Sequence, residues 1–482
     1  MEKLVHLKRQ IISNSKMLFL LLIYFTFSFA TLASWELRGI NQITGDEPHY
    51  LVMTNGIVKY KTFEQTKPYR EEFRTREIYA PGLALKDANP SPGNTHALLG
   101  KNGLFNVHNL GLPLLLTIPF AIGGVIGAKV FMILIGGLII FNFWNFASQF
   151  CQNKNIIFTL LLPISISQPI VFASNQIYPE LLAALVTIFT INIFCKYKES
   201  NTLNNVDSML IFIAISFLPW LQLKFAVISL LLYGFLCWRF IYIQRDLKQL
   251  KRMTLFCFIS FVILISYNYF AFDNFSGPHQ QWSQLWSDKR PIELSWKSIT
   301  VFMGLIFDQE QGFLMQNPLN FIGLLGIGCF YKNNRYLTIL IGLVSTSILF
   351  VNSLHTQWYG GYSMIGRFGW TGGLVFTLFT IYGMISIYKI NKNIILAINT
   401  SSILISLYLF DLISLKGINI YNLNANVNSG RLFDSISGYL PLWLDDKAIF
   451  SHLPNIFFLV ISVYLIITGF RISRLNLFKK NY

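Results

Sequence analysis

The sequence predicts an all-α, polytopic membrane protein with about 12 transmembrane helices and juxtamembrane helices in its first outer loop. Three observations predict it. Of 482 residues, 53% are hydrophobic and 12% charged, against about 25% charged in a soluble domain. The apolar runs are continuous over about 16–22 residues rather than alternating, which excludes a membrane β-barrel. The basic residues cluster between these runs in step with one orientation. The same composition excludes soluble globular, disordered and coiled-coil classes.

Taken in order, hydropathy marks crossings at 17–34, 129–149, 155–173, 180–196, 208–221, 224–242, 253–271, 314–330, 336–351, 370–388, 393–413 and 453–471. Lys8, Arg9 and Lys16 precede the first and assign the N-terminus to the cytoplasmic side. Lys196/Lys198, Arg245/Lys248/Lys251/Arg252, Lys332/Arg335, Lys389/Lys392 and Arg474/Lys479/Lys480 then fall on that side too. This holds only if the run 110–127, which contains Pro113, Pro119, Gly123 and Gly124, does not cross. It is therefore expected to be juxtamembrane or re-entrant. The net charge of +16 lies wholly on the inner side. The positive-inside rule accounts for it, and no nucleic acid partner is needed. Cys151, Cys195, Cys237, Cys257 and Cys329 all lie at or near inner helix ends, so neither a disulfide framework nor a zinc spacing is read. Ala30 and Ala33 near the end of the first helix would suit a cleaved leader. The helix is expected to be retained, because its polar continuation carries the most informative motif.

The unusual polar residues gather on the outer face. Gly45-Asp46-Glu47-Pro48-His49-Tyr50 follows the first crossing. An Asp-Glu pair there serves either as a general base with a tuning partner or as the cap of a helix start. Tyr178-Pro179-Glu180 opens the fourth crossing, where a carboxylate either meets the helix dipole or is a second active-site acid. Lys224, in the tight turn Pro219–Phe225 with Gln222, is costly between two apolar runs and suits an anion, or else snorkels. Asp308 sits in Phe307-Asp308-Gln309-Glu310-Gln311-Gly312, a polar break in an apolar stretch. Trp358-Tyr359-Gly360-Gly361-Tyr362 leads to Gly366-Arg367-Phe368-Gly369, where an arginine among glycines suits bidentate phosphate binding or a lipid headgroup. His108 opens the 110–127 run; a lone histidine there is commonly a structural hydrogen-bonder. Acids for proton removal and cations for phosphate, placed together at a membrane surface, suit chemistry on a lipid-linked phosphate. No P-loop, Rossmann glycine pattern or HExxH occurs, which argues against an ATPase, an NAD enzyme and a zincin.

In these motifs and in their order, roughly over 17–370, the sequence resembles bacterial GT-C membrane glycosyltransferases. These are relatives of dolichyl-phosphate-mannose protein mannosyltransferase and lipid A aminoarabinose transferase. The resemblance implies a donor sugar on polyprenyl phosphate as co-substrate and an acceptor glycan, lipid or protein. It implies inverting displacement at the outer face of a cell membrane, the bacterial inner membrane in a prokaryote. It maps the catalytic acids to Asp46, Glu47 and Glu180, and the donor phosphate to Lys224 and Arg367. His49, His108, Tyr178, Gln222, Asp308 and Tyr359 are the candidate substrate contacts. Some relatives hold a divalent metal at their acids; no full ligand set is read here. The implied division is a cytoplasmic segment 1–16, a GT-C-like transmembrane module 17–388 with first outer loop 35–128, and a C-terminal transmembrane pair 389–482 with outer loop 414–452.

Competing readings are a lipid-linked saccharide flippase, an O-antigen ligase-like enzyme and a catalytically inactive scaffold. A flippase should carry midplane charges and repeated halves; only Asp411, near the end of the eleventh crossing, points that way. A ligase would place its largest loop late, whereas here it comes first.

Overall fold

The computed structural model describes residues 2–39, 43–78, 84–197, 203–278, 293–355, 357–361, 363–418, 432–445, 449 and 451–474, with side chains from Ser15 onward. Lys198, Tyr362, Lys479, Lys480 and part of the 414–452 loop lie outside them. Among the described residues the chain is helical apart from one small hairpin.

Among the described residues nine helices are long and apolar enough to cross a membrane. They match nine of the expected crossings. The other three runs form shorter or broken apolar helices. The run 155–173 is a helix only over Lys154–Ser165. Pro163 lies in its last turn and Pro169 follows, which together end the ladder. The 314–330 run is split into Phe313–Gln316 and Phe321–Asn333, because Asn317 before Pro318 is extended (φ −137°, ψ 89°). Asn205–Leu221 is helical but only 17 residues long.

The run 110–127 enters the helix Gly111–Ser148, whose 38 residues are interrupted at Gly123 (φ −135°) and Gly124 (φ 56°, ψ −139°). A straight helix of that length would span about 57 Å, nearly twice the roughly 30 Å apolar core of a bilayer. The break detaches the arm 111–122 from the part that continues to Ser148. Ile118 and Ile122 on that arm are exposed.

Residues 163–184 are all buried although 166–178 is mostly irregular. Backbone without a helical ladder is tolerated at depth only inside protein, and this segment supports the site described below. The hairpin pairs Ala97–Gly100 with Gly103–Asn106, and Val107 N–H donates to His96 O at 2.9 Å. It docks on the C-terminal end of Leu247–Phe272: Asn102 Nδ2 donates to Phe270 O at 2.8 Å, and Phe105 packs edge-on against Phe270 and Phe272.

Helices Phe321–Asn333, Trp370–Ile390 and Leu453–Arg474 meet backbone to backbone. A Cβ on Gly326 would lie 2.0 Å from Phe379 O, and one on Gly469 2.1 Å from Leu325 O. Small residues permit such approach where lipid offers no hydrophobic drive between helices.

Candidate functional site

Arg367 is the centre of the candidate site. It follows Gly366 (φ +75°) in a short 3-10 turn before Trp370–Ile390. Its Nη2 donates to Asp46 Oδ2 at 2.8 Å, its Nε to Glu180 Oε1 at 3.1 Å and its Nη1 to Gly360 O at 3.1 Å. The guanidinium carbon lies 3.6 Å from the centre of the Tyr178 ring. Tyr178 also donates its hydroxyl to Thr44 O at 3.0 Å.

Lys224 joins from the turn between Asn205–Leu221 and Ala226–Trp238, where extended Gln222 (φ −167°) separates the helices. Its Nζ donates to the same Glu180 Oε1 at 2.9 Å and lies 4.2 Å from the Phe368 ring centre. Glu180 is therefore shared by two cations, at the first turn of Pro179–Lys196. It is fully buried, whereas Asp46 is 24% exposed. Two acids and two cations from four separate stretches of chain thus meet, with only one acid open to a reactant.

The adjacent acids Asp46 and Glu47 diverge. Pro48 starts the helix Glu47–Asn55, which sends the two side chains apart. Burial alone would raise the Asp46 carboxyl. The Arg367 charge, with His108 and His96, overcomes this and holds Asp46 well below the ordinary carboxylate range. Glu47 instead accepts from Ile177 N at 2.7 Å and Thr44 N at 3.1 Å, tying the first loop to the irregular 166–178 segment. Burial raises its carboxyl, against the opposing pull of Lys129.

Three histidines flank Asp46. The hairpin sets His96 Nδ1 3.2 Å from His108 Nε2. His108 Nε2 is 3.8 Å from Asp46 Oδ1, and His49 stacks on His96 at 3.7 Å. Burial lowers His96 to about 4, against the opposing pull of Asp46. Asp46, His96 and His108 each offer one ligand atom, all within 4.8 Å of one another. One carboxylate and two imidazoles are a donor set that fits a divalent cation. His96 was missed by the sequence reading. The apolar residues around Gly100-Lys101-Asn102-Gly103 are a hairpin signal that would have paired the two histidines.

The remaining candidates are dispersed in role. His49 is fully buried, with Nδ1 2.6 Å from the Tyr69 hydroxyl. Gln222 is half-buried, and its Oε1 has no partner among the described residues. Tyr359 packs edge-on against Trp358, beside the Gly360 carbonyl that holds Arg367. Asp308 is fully buried and accepts from Glu310 N at 3.0 Å, Gln311 N at 3.2 Å and Trp443 N at 3.2 Å. Burial raises it to about 6 against those hydrogen bonds. It shapes the 307–312 turn. Asp411 pairs at the surface with Lys416 at 2.6 Å.

Tyr50 is also fully buried, lies 4.8 Å from the His108 ring, and its hydroxyl has no partner among the described residues. Gln311 Oε1 accepts from Gly366 N at 2.7 Å. Gln316 Nε2 donates to Ile365 O at 3.1 Å and Glu310 O at 2.8 Å. Gln176 Oε1 accepts from Met364 N at 3.4 Å. None of these four had an assigned role in the sequence.

No family model and no curated protein sequence matches the chain. Its fold is that of ArnT from Cupriavidus metallidurans bound to undecaprenyl phosphate: TM-score 0.51 at 11% identity, over 97% of this chain and 76% of that one. The apo form of that ArnT aligns with TM-score 0.47 at 12% identity, over 94% of this chain and 76% of that one. The Archaeoglobus fulgidus oligosaccharyltransferase tethered to an acceptor peptide aligns with TM-score 0.45 at 13% identity, over 95% of this chain and 55% of that one.

Proposed function

We propose that this multi-pass membrane protein is a GT-C type glycosyltransferase that moves a sugar from a polyprenyl-phosphate donor to an acceptor hydroxyl or similar nucleophile at the outer face of the membrane. One observation carries the reading: Arg367 bridges a half-open carboxylate, Asp46, and a buried one, Glu180, which Lys224 also holds. The ArnT fold, described with undecaprenyl phosphate bound, supports the donor class. In this reading 17–388 is the catalytic module, 35–128 its outer loop and 389–482 an appended transmembrane pair. The basic clusters put both termini on the cytoplasmic side.

Asp46 is the general base. Held far down by Arg367, it is a weak one until the donor arrives. The donor phosphate draws on Arg367 and Lys224, and the pull on Asp46 weakens as that charge is shared. Asp46 then takes the acceptor proton. The acceptor oxygen bonds to the anomeric carbon, the bond from that carbon to the phosphate oxygen breaks, and polyprenyl phosphate leaves with the electron pair. Arg367 and Lys224 stabilise its growing charge. Glu180 keeps both cations in place without facing the acceptor. A divalent cation on Asp46, His96 and His108 would add positive charge beside the leaving phosphate.

The test is transfer of radiolabelled sugar from polyprenyl-phosphate donors in membranes containing the wild type, Asp46→Asn or Arg367→Ala at equal expression. The reading expects product with the wild type, near-background counts with Asp46→Asn, and a raised donor requirement with Arg367→Ala. Full transfer by Asp46→Asn sinks the base assignment.

A further inference from the structure

The Phe307–Gly312 motif and Gln316 have no part in the chemistry above. From their geometry we propose that Gln311 and Gln316 are positioning residues for Arg367, one acting as acceptor and the other as donor on a single peptide plane. The inference rests on the reading of Arg367 as the holder of the donor phosphate.

The Ile365 carbonyl and the Gly366 N–H belong to one peptide unit, and the two glutamines grip its opposite ends. Gln311 Oε1 takes the N–H at 2.7 Å. Gln316 Nε2 gives to the carbonyl at 3.1 Å and is itself anchored on Glu310 O at 2.8 Å. Both side chains are buried, so water does not compete for these groups. The grip leaves no room for a side chain at Gly366, where a Cβ would lie 1.7 Å from Gln316 Nε2. Gly366 is at φ +75°, a region that glycine enters freely and leaves as freely. Without the two amides that peptide can rotate, and the rotation carries the next residue, Arg367, off its carboxylates. Asp308 completes the device from below, because its carboxylate holds the Glu310 and Gln311 N–H groups. A polar break in an apolar stretch is thus used to orient a cation in another part of the chain, 55 residues from Gln311.

The two amides have opposite polarity, so one substitution separates them. Gln311→Glu keeps an acceptor for the Gly366 N–H. Gln316→Glu turns carboxylate oxygens towards two carbonyls. Both put one carboxyl into the same buried region, so a general loss of stability moves both alike.

Undecaprenyl phosphate is the probe, titrated into the purified full chain in detergent, with melting temperature followed in parallel. The expectation is that Arg367→Ala weakens saturable binding the most, by well over about 10-fold. Gln311→Leu, Gln316→Met and Gln316→Glu should each raise the Kd about 10-fold, and Gln311→Glu less than about 3-fold. In transfer assays the same variants should raise the donor KM more than they lower kcat. If Arg367→Ala weakens probe binding to that extent while Gln311→Glu and Gln316→Glu behave alike, the positioning role is overturned and the phosphate reading stands. If Arg367→Ala binds as the wild type does, the phosphate reading fails, and the positioning role with it. Where a Gln316 variant does not fold, the Gln311 pair decides: equal Kd for Leu and Glu overturns the acceptor role.

Discussion

Helix Trp370–Ile390 takes part in two regions that cohere by opposite means. Along its length it meets Phe321–Asn333 mainly through close backbone approach at glycines. The Gly326 Cα presses on the Phe379 carbonyl, and a Cβ on Gly383 would lie 2.6 Å from Ile322 O. At its N-terminal end it starts from Arg367, where charge is dense: two carboxylates, one lysine and an aromatic face converge. The difference teaches where each kind of mutation hurts. Added volume damages the glycine seam, whereas an isosteric change of charge leaves the seam intact and disables the cluster.

Four expected outcomes break or sharpen that contrast. The largest is Asp46→Asn, isosteric and uncharged. It should cut transfer per folded molecule about 10²–10⁴-fold and also lower the melting temperature, because buried Arg367 loses a carboxylate partner; undiminished transfer per folded molecule would put Asp46 with the scaffold. Next is Gly326→Val, which should destabilise by about 3 kcal/mol or more, read as lost folded protein in a thermal scan. Transfer per folded molecule should be unchanged, and a selective loss of rate would erase the contrast. Third is pH. The Asp308 carboxyl is raised by burial from 3.8 to about 6 in the folded protein. Its contribution to stability is full below about pH 4 and is lost as pH rises through about 6, on the order of 2–3 kcal/mol. The melting temperature of Asp308→Asn relative to the wild type should therefore rise over that window, and a flat difference would refute the shift. The smallest is Glu47→Gln, which keeps one acceptor for the Ile177 and Thr44 amides. About 1 kcal/mol of stability should go, with the rate per folded molecule within a few-fold. A collapse of rate like that of Asp46→Asn would move Glu47 into the chemistry.

The sequence exposed the apolar helices well, because a bilayer demands length and continuity that composition displays directly. It did not show the helix breaks inside runs that stay apolar, before Pro169 and at Pro318, since hydropathy is blind to backbone hydrogen bonding. Asp46, Glu180, Lys224 and Arg367 stood out because a charge beside long apolar runs is costly, and the structure brings these four together. Roles within the cluster were less visible. Glu47 and Asp308 look like Asp46 in the sequence, yet both are consumed by backbone amides whose positions depend on the fold. Gln316 and Tyr50 carry no charge to draw attention, and His96 needed the hairpin to be recognised first.

The long reach of the central cluster sets an order in time. Asp46 and Arg367 are 321 residues apart. At about 5–20 residues per second of synthesis, roughly 15–65 s separate their emergence. Glu180 has a provisional partner much sooner, since Lys224 follows it by 44 residues whereas Arg367 follows by 187. The lysine is thus available to shield that buried carboxylate on a half-made chain, while Asp46 waits without Arg367. Assembly of the cluster is therefore a late event of biogenesis, and a ribosome stalled before residue 367 holds a membrane-inserted chain whose first acid still lacks its guanidinium.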